Sequence, residues 1–172
     1  MKPKKSPAQS PSAQDDVEAR THYYDNLELA RKVRGTIIDQ AIEVEQELND
    51  LLVGFFVSDV ERRQKFLQSV LQDENFTFMR KVMLLERLDV HHQARFQGLF
   101  DGLTGDLSYI VGVRNSLAHR PHNSLVPMIK LKLPGGIVER KLDNTFLVEY
   151  LKVAKTTCAR LVALAAYIEM GL

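Results

Sequence analysis

Residues 37–56 read IIDQAIEVEQELNDLLVGFF. Ile37, Ala41, Val44, Leu48, Leu51 and Phe55 recur at intervals of three and four, the spacing of one face of an α-helix. Ile38, Ile42, Leu52 and Phe56 make a second seam beside the first, so the apolar face is wide. Glu45 interrupts that second seam and puts a carboxylate on its shoulder. The spacing predicts a long helix from about Asp25 to Val57 and directs the fold toward an all-α bundle.

The same period continues on the C-terminal side. Ser58 with Glu61 three residues later has the form of a capping box, opening a helix to Leu71 with Val60, Phe66, Leu67, Val70 and Leu71 inward. Phe78, Val82, Leu84, Leu85 and Leu88 predict a third helix over residues 77–88, and a short helical turn follows around 96–100. A fourth spans about 103–119, because Pro121 disfavours helix at Arg120. The period then changes to two. MIKLKL (128–133), a Pro-Gly-Gly turn and IVERKL (137–142) form a β-hairpin signal. Asp143 or Asn144 caps a last helix to about Met170, with Phe146, Tyr150, Val153, Leu161, Leu164 and Ile168 inward. The expected architecture is all-α: four or five helices in a bundle with one inserted β-hairpin at about 128–142. Residues 1–20 hold Pro3, Pro7 and Pro11 among Ser, Gln and Lys, the composition of a disordered tail. Residues 21–172 then form a single domain.

Composition narrows the function. The 172 residues carry a formal charge of +1, and the tail accounts for it, leaving 19 cations and 19 carboxylates in residues 21–172. A binder driven by bulk positive charge is excluded. Cys158 is the one cysteine, so there is neither an intramolecular disulfide nor a Cys-cluster zinc site, and a reducing, cytoplasmic setting is expected. No apolar run reaches the length of a membrane span, so no membrane partner is expected. No Gly-rich phosphate loop, cofactor motif or metal-ligand spacing is present, and the expectation is no cofactor and no metal.

The chemistry lies in VRNSLAHR, residues 113–120. At about 100° per residue, Leu103 and Leu107 fall within about 20° of Arg114, and Ile110 and Ala118 within about 40°. Arg114 thus stands at the centre of an apolar stripe, where an unpaired guanidinium is too costly. Glu45 is its expected partner. Ser108, Asn115 and His119 form a polar strip about 100° to 140° away, and Asn115 and His119 are i, i+4 neighbours. Arg can hold phosphate oxygens, Asn can orient the phosphate or the imidazole, and a neutral His can take a proton from a ribose 2′-hydroxyl or return one to a leaving group.

Arg114-Asn115 followed by His119 near the end of a late helix, in a small bundle opened by a long amphipathic helix, resembles the HEPN superfamily. Arg34-Gly35, Glu45 and Glu47 in the long helix, with the closing Arg-Asn…Ala-His, are also similar to the mannitol-operon repressor type of helical protein. The HEPN resemblance implies a metal-independent RNA endonuclease whose two motifs face each other across a homodimer. Arg114, Asn115 and His119 would be catalytic, with Glu45, Ser108 and Arg120 supporting. It also implies a role as a toxin or defence component, with an antitoxin or other protein partner. Arg120-Pro121 stands where some toxin members carry a Tyr two residues after the His, and the hairpin is not part of the minimal bundle. The bare spacing recurs at Arg87 and His92, so Asn115 and the helical context single out Arg114. The alternative is a non-catalytic HEPN-like or mannitol-repressor-like regulatory or interaction module. In that reading Arg114 ties two helices together and His119 caps a helix end.

Overall fold

A computed structural model describes residues 13–92, 100–118, 128–133 and 136–170. Its elements are α1 (Ala13–Phe56), α2 (Val60–Phe66) running into a π turn (Leu67–Leu71), α3 (Phe78–His92), α4 (Leu103–Ala118), β1 (Met128–Leu133), β2 (Gly136–Lys141) and α5 (Asn144–Glu169). This is an all-α bundle with one inserted antiparallel hairpin. Among the described residues, no helix is long and apolar enough to cross a membrane.

α1 and α5 pack along each other and form the spine of the bundle. From α1, Ile37, Ala41, Val44, Leu48 and Leu51 are fully or almost fully buried, as the first seam predicts, Val33 extends the row upstream, and Phe55, its last member, is half-buried. The second seam behaves differently. Leu52 is buried, Ile38 is half-buried, and Ile42 and Phe56 are exposed, so the wide face narrows to one and a half rows. α5 answers with Phe146, Tyr150, Leu161 and Leu164 of the expected set and with Ala154, while Val153 and Ile168 are half-buried. The Tyr150 hydroxyl donates to the Ile37 carbonyl at 3.3 Å, which ties the two helices at mid-height. Burial, with Tyr109 and Cys158 nearby, pushes the Tyr150 pKa well above the usual phenol value.

Several boundaries differ from the expectation. α1 begins at Ala13, inside the stretch whose composition reads as a tail. Ala13 is followed by Asp15, Asp16 and Glu18. Val17, Arg20 and Thr21 are exposed, so this stretch of the helix runs clear of the core. Residues 1–12 lie outside the described residues. The N-cap of α2 is Asp59 and not Ser58: the Asp59 side chain accepts from the Glu61 backbone N–H at 2.9 Å. That start leaves Val60 exposed, and Leu71 is the one buried residue of the expected inward set, with Phe66 and Leu67 half-buried. The π turn delivers it. The Gln72 N–H reaches the Leu67 carbonyl at 2.9 Å across one extra residue.

α4 starts after Gly102, whose φ of +71° is left-handed backbone that favours glycine. Its buried residues are Leu103, Leu107, Ile110, Val111, Val113 and Leu117. The hairpin pairs Met128 with Lys141 and Leu131 with Val138. β1 turns Ile129 and Leu131 into the core against α4, while every residue of β2 is exposed. Arg140 of β2 pairs with Glu149 and fastens the hairpin to α5. Asp143 is the cap of α5, its carboxylate accepting from the Phe146 N–H at 3.0 Å.

Candidate functional site

A cleft of about 420 Å³ opens between α1, the π turn with the loop after it, the start of α3, and α4. α1 contributes Glu45 and Asn49, the loop Asp73 and Glu74, α3 Lys81, and α4 Arg114. Two of the expected site residues, Glu45 and Arg114, therefore line one cleft.

The pairing inside the cleft is not the expected one. Glu45 Oε1 accepts from Lys81 Nζ at 2.6 Å, and the Lys81 side chain is only 4% exposed against 23% for Glu45. Lys81 takes the carboxylate because it rises from the inner face of α3, three residues after buried Phe78 and four before buried Leu85. A cation held there needs a counter-charge, and the shoulder of α1 supplies it. Arg114 is left with a neutral partner. Among the described residues its side-chain hydrogen bond is to Asn115 Oδ1, at 3.2 Å, and it forms no salt bridge. Its position agrees with the helical map: Leu107, Ile110, Val111 and Leu117 flank it, all buried, and the guanidinium reaches from between them to the cleft.

Asn115 is exposed, next to Arg114. Ser108 is half-buried on the same helix, seven residues or about 10 Å further N-terminal, and does not line the cleft. Ala118, placed on the apolar stripe by the map, is exposed in the last turn. His119 and Arg120 lie outside the described residues. α4 is helical to Ala118, the residue before His119.

Two cleft residues, Lys81 and Asn49, escape a reading centred on residues 113–120. Lys81 had a usable signal, because it occupies an apolar-stripe position of α3 just as Arg114 does of α4. Asn49 follows Glu45 by one helical turn and is 6% exposed, and its Oδ1 has no hydrogen-bond partner among the described residues. The floor of the cleft is thus a polar cluster of Glu45, Lys81 and Asn49 inside an apolar bundle.

Elsewhere the chemistry is sparse. Among the described residues, no group of three or more His, Cys, Asp or Glu side chains is arranged to hold a metal ion. Cys158 is half-buried, and burial, then Glu47 and Glu43, raise its thiol pKa, the opposite of what a nucleophile needs. No family model, curated protein or solved structure matches the chain.

Proposed function

We propose that the protein is a metal-independent RNA endonuclease of the HEPN kind, cytoplasmic and acting as a homodimer in which two copies of the motif face each other. The observation that supports this most is the state of Arg114: it lines a cleft, is flanked by buried apolar side chains, and has a neutral partner. Lys81 neutralises Glu45, the carboxylate that would otherwise occupy the guanidinium. Arg114 is thereby kept for an anion, and a phosphodiester is the anion a guanidinium holds with two parallel hydrogen bonds. In this reading neutral His119 takes the proton from a ribose 2′-hydroxyl. The 2′-oxygen attacks phosphorus, and the 5′-oxygen leaves with a proton from the facing His119, which begins the step as the protonated imidazolium and ends it neutral. The products are a 2′,3′-cyclic phosphate and a 5′-hydroxyl. Arg114 stabilises the charge that develops on the phosphoryl oxygens, and Asn115 orients the guanidinium. A toxin or defence role, held in check by an antitoxin, suits an enzyme that needs no cofactor.

The test is cleavage of mixed single-stranded RNA in excess EDTA. Wild type should cut, and His119→Ala and Arg114→Ala should each lose at least a hundredfold in rate. Cleavage that survives His119→Ala, or that requires a metal ion, refutes the mechanism.

One observation favours a second reading, a non-catalytic regulatory or interaction module. The cleft carries three carboxylates, Glu45, Asp73 and Glu74, against the two cations Lys81 and Arg114. Such a site does not draw RNA from a distance. Here no RNA is cut, and the effect of Arg114→Ala appears in thermal stability alone.

A further inference from the structure

α5 has a second face that the bundle does not use. Val148, Lys152, Lys155, Ala159, Val162, Ala166 and Glu169 follow one another at alternating steps of four and three, the spacing of a coiled-coil seam. All seven are exposed, Val148 at 66% and Val162 at 50%. Ala163 and Met170, both exposed, flank the C-terminal half of the seam. No residue of α5 lines the Arg114 cleft, so this face is separate from the candidate site.

A seam with this order of residues matches itself in one orientation. Placed antiparallel about Val162, it sets Val162 against Val162 of a second copy and brings Ala159 within one residue, about 1.5 Å of rise, of Ala166. Lys155 then lies opposite Glu169 at both ends. The alanines allow the two backbones to approach closely, and the ends carry opposite charges. Glu169 keeps an oxygen for the contact: its Oε1 accepts from Arg63 at 3.1 Å, and its side chain is 61% exposed. The parallel arrangement sets Lys155 on Lys155 and Glu169 on Glu169, which is repulsive at both ends. We infer that α5 is a homotypic contact surface, pairing antiparallel with α5 of a second copy about a two-fold axis at Val162. The symmetry is isologous, each patch meeting its own copy, and the contact closes at two chains. It goes beyond the proposed ribonuclease: it is a second contact, on a face apart from the cleft and distinct from the one that would bring two motifs face to face.

The experiment uses the full chain with Cys158→Ser, to which Val162→Cys is added. On the two-fold axis the new thiols are neighbours, and mild oxidation should link most of the protein into a disulfide dimer on a non-reducing gel. Adding Lys155→Glu should lower the yield of linked dimer about fivefold to tenfold at limiting concentration, since like charges then face each other twice. Adding Glu169→Lys to that variant should restore the yield. Thermal unfolding verifies that each variant is folded, and RNA cleavage is measured in parallel as an independent readout. A chain that stays monomeric on oxidation overturns the inference. So does a yield that is indifferent to Lys155→Glu, or one that the second reversal fails to restore.

Discussion

Replacing Lys81 by Met removes the buried cation and leaves its length of apolar stem. Glu45 then faces the floor of the cleft without a counter-charge, beside the unpartnered Oδ1 of Asn49. Breaking a fully buried pair from one side costs about 3–5 kcal/mol. Glu45 is 23% exposed and can turn partly toward water, so the expected loss is smaller, about 2–3 kcal/mol. In a chain of this size each kcal/mol lowers Tm by about 2–4 °C, which places the variant roughly 5–10 °C below wild type. The double variant Glu45→Leu/Lys81→Met removes both charges and should recover most of that loss, because an apolar pair needs no desolvation. Urea unfolding of the four proteins at pH 7 gives the coupling energy directly. A Lys81→Met variant within about 0.5 kcal/mol of wild type, or a coupling energy of that size or less, would show that the pair does not organise the cleft floor.

Four further outcomes are expected. Asp143→Ala removes the cap of α5 and should cost about 1 kcal/mol, whereas Ser58→Ala should be nearly silent; chemical denaturation separates the two. Leu107→Ala opens a cavity in the fully buried face of α4 beneath Arg114 and should cost about 2–5 kcal/mol by the same measurement. Tyr150 has a folded pKa raised above its unfolded value of about 10, so its contribution to stability is complete below pH 10 and is lost as pH rises. Tyr150→Phe should therefore cost about 1 kcal/mol at pH 7 but flatten the fall in stability at alkaline pH, and an unchanged alkaline slope would count against that burial. Arg114→Ala, lacking an ion pair to lose among the described residues, should change stability by less than about 1 kcal/mol while removing any RNA cleavage; a larger destabilisation would favour the structural role of this residue.

Much of the fold was legible because the apolar periods are long and uninterrupted. The first seam of α1, the inward residues of α5 and the alternation of β1 each name their own partners in the core. α2 was less legible, since seven residues and a π turn do not complete an apolar stripe, and an Asp directly after a Ser competes for the same cap. In the site, Arg114 was marked by its angular position together with Asn115 and the helical context, and it lines the cleft. The choice of its partner was not. Periodicity places residues on faces but does not say which of two cations a carboxylate will take. Lys81 prevails because it is the more deeply buried charge. The α5 seam is a similar case: apolarity around most of a helix reads as burial or contact, and only the packed bundle separates the core face from the free one.

The π turn at Leu67–Leu71 adds one residue to a single helical turn, and Leu71, Gln72 and Asp73 at the rim of the cleft come directly after or within it. Were that turn wound as ordinary α-helix with the same residues, everything downstream would rotate by about 100°. Leu71 then swings out of the core and Asp73 away from the opening. The direction in which the residues at the cleft's mouth face is therefore set by the winding of the backbone at one point: deleting Ser69 takes out the extra residue and keeps those faces in place, with no change to any side chain that lines the cleft.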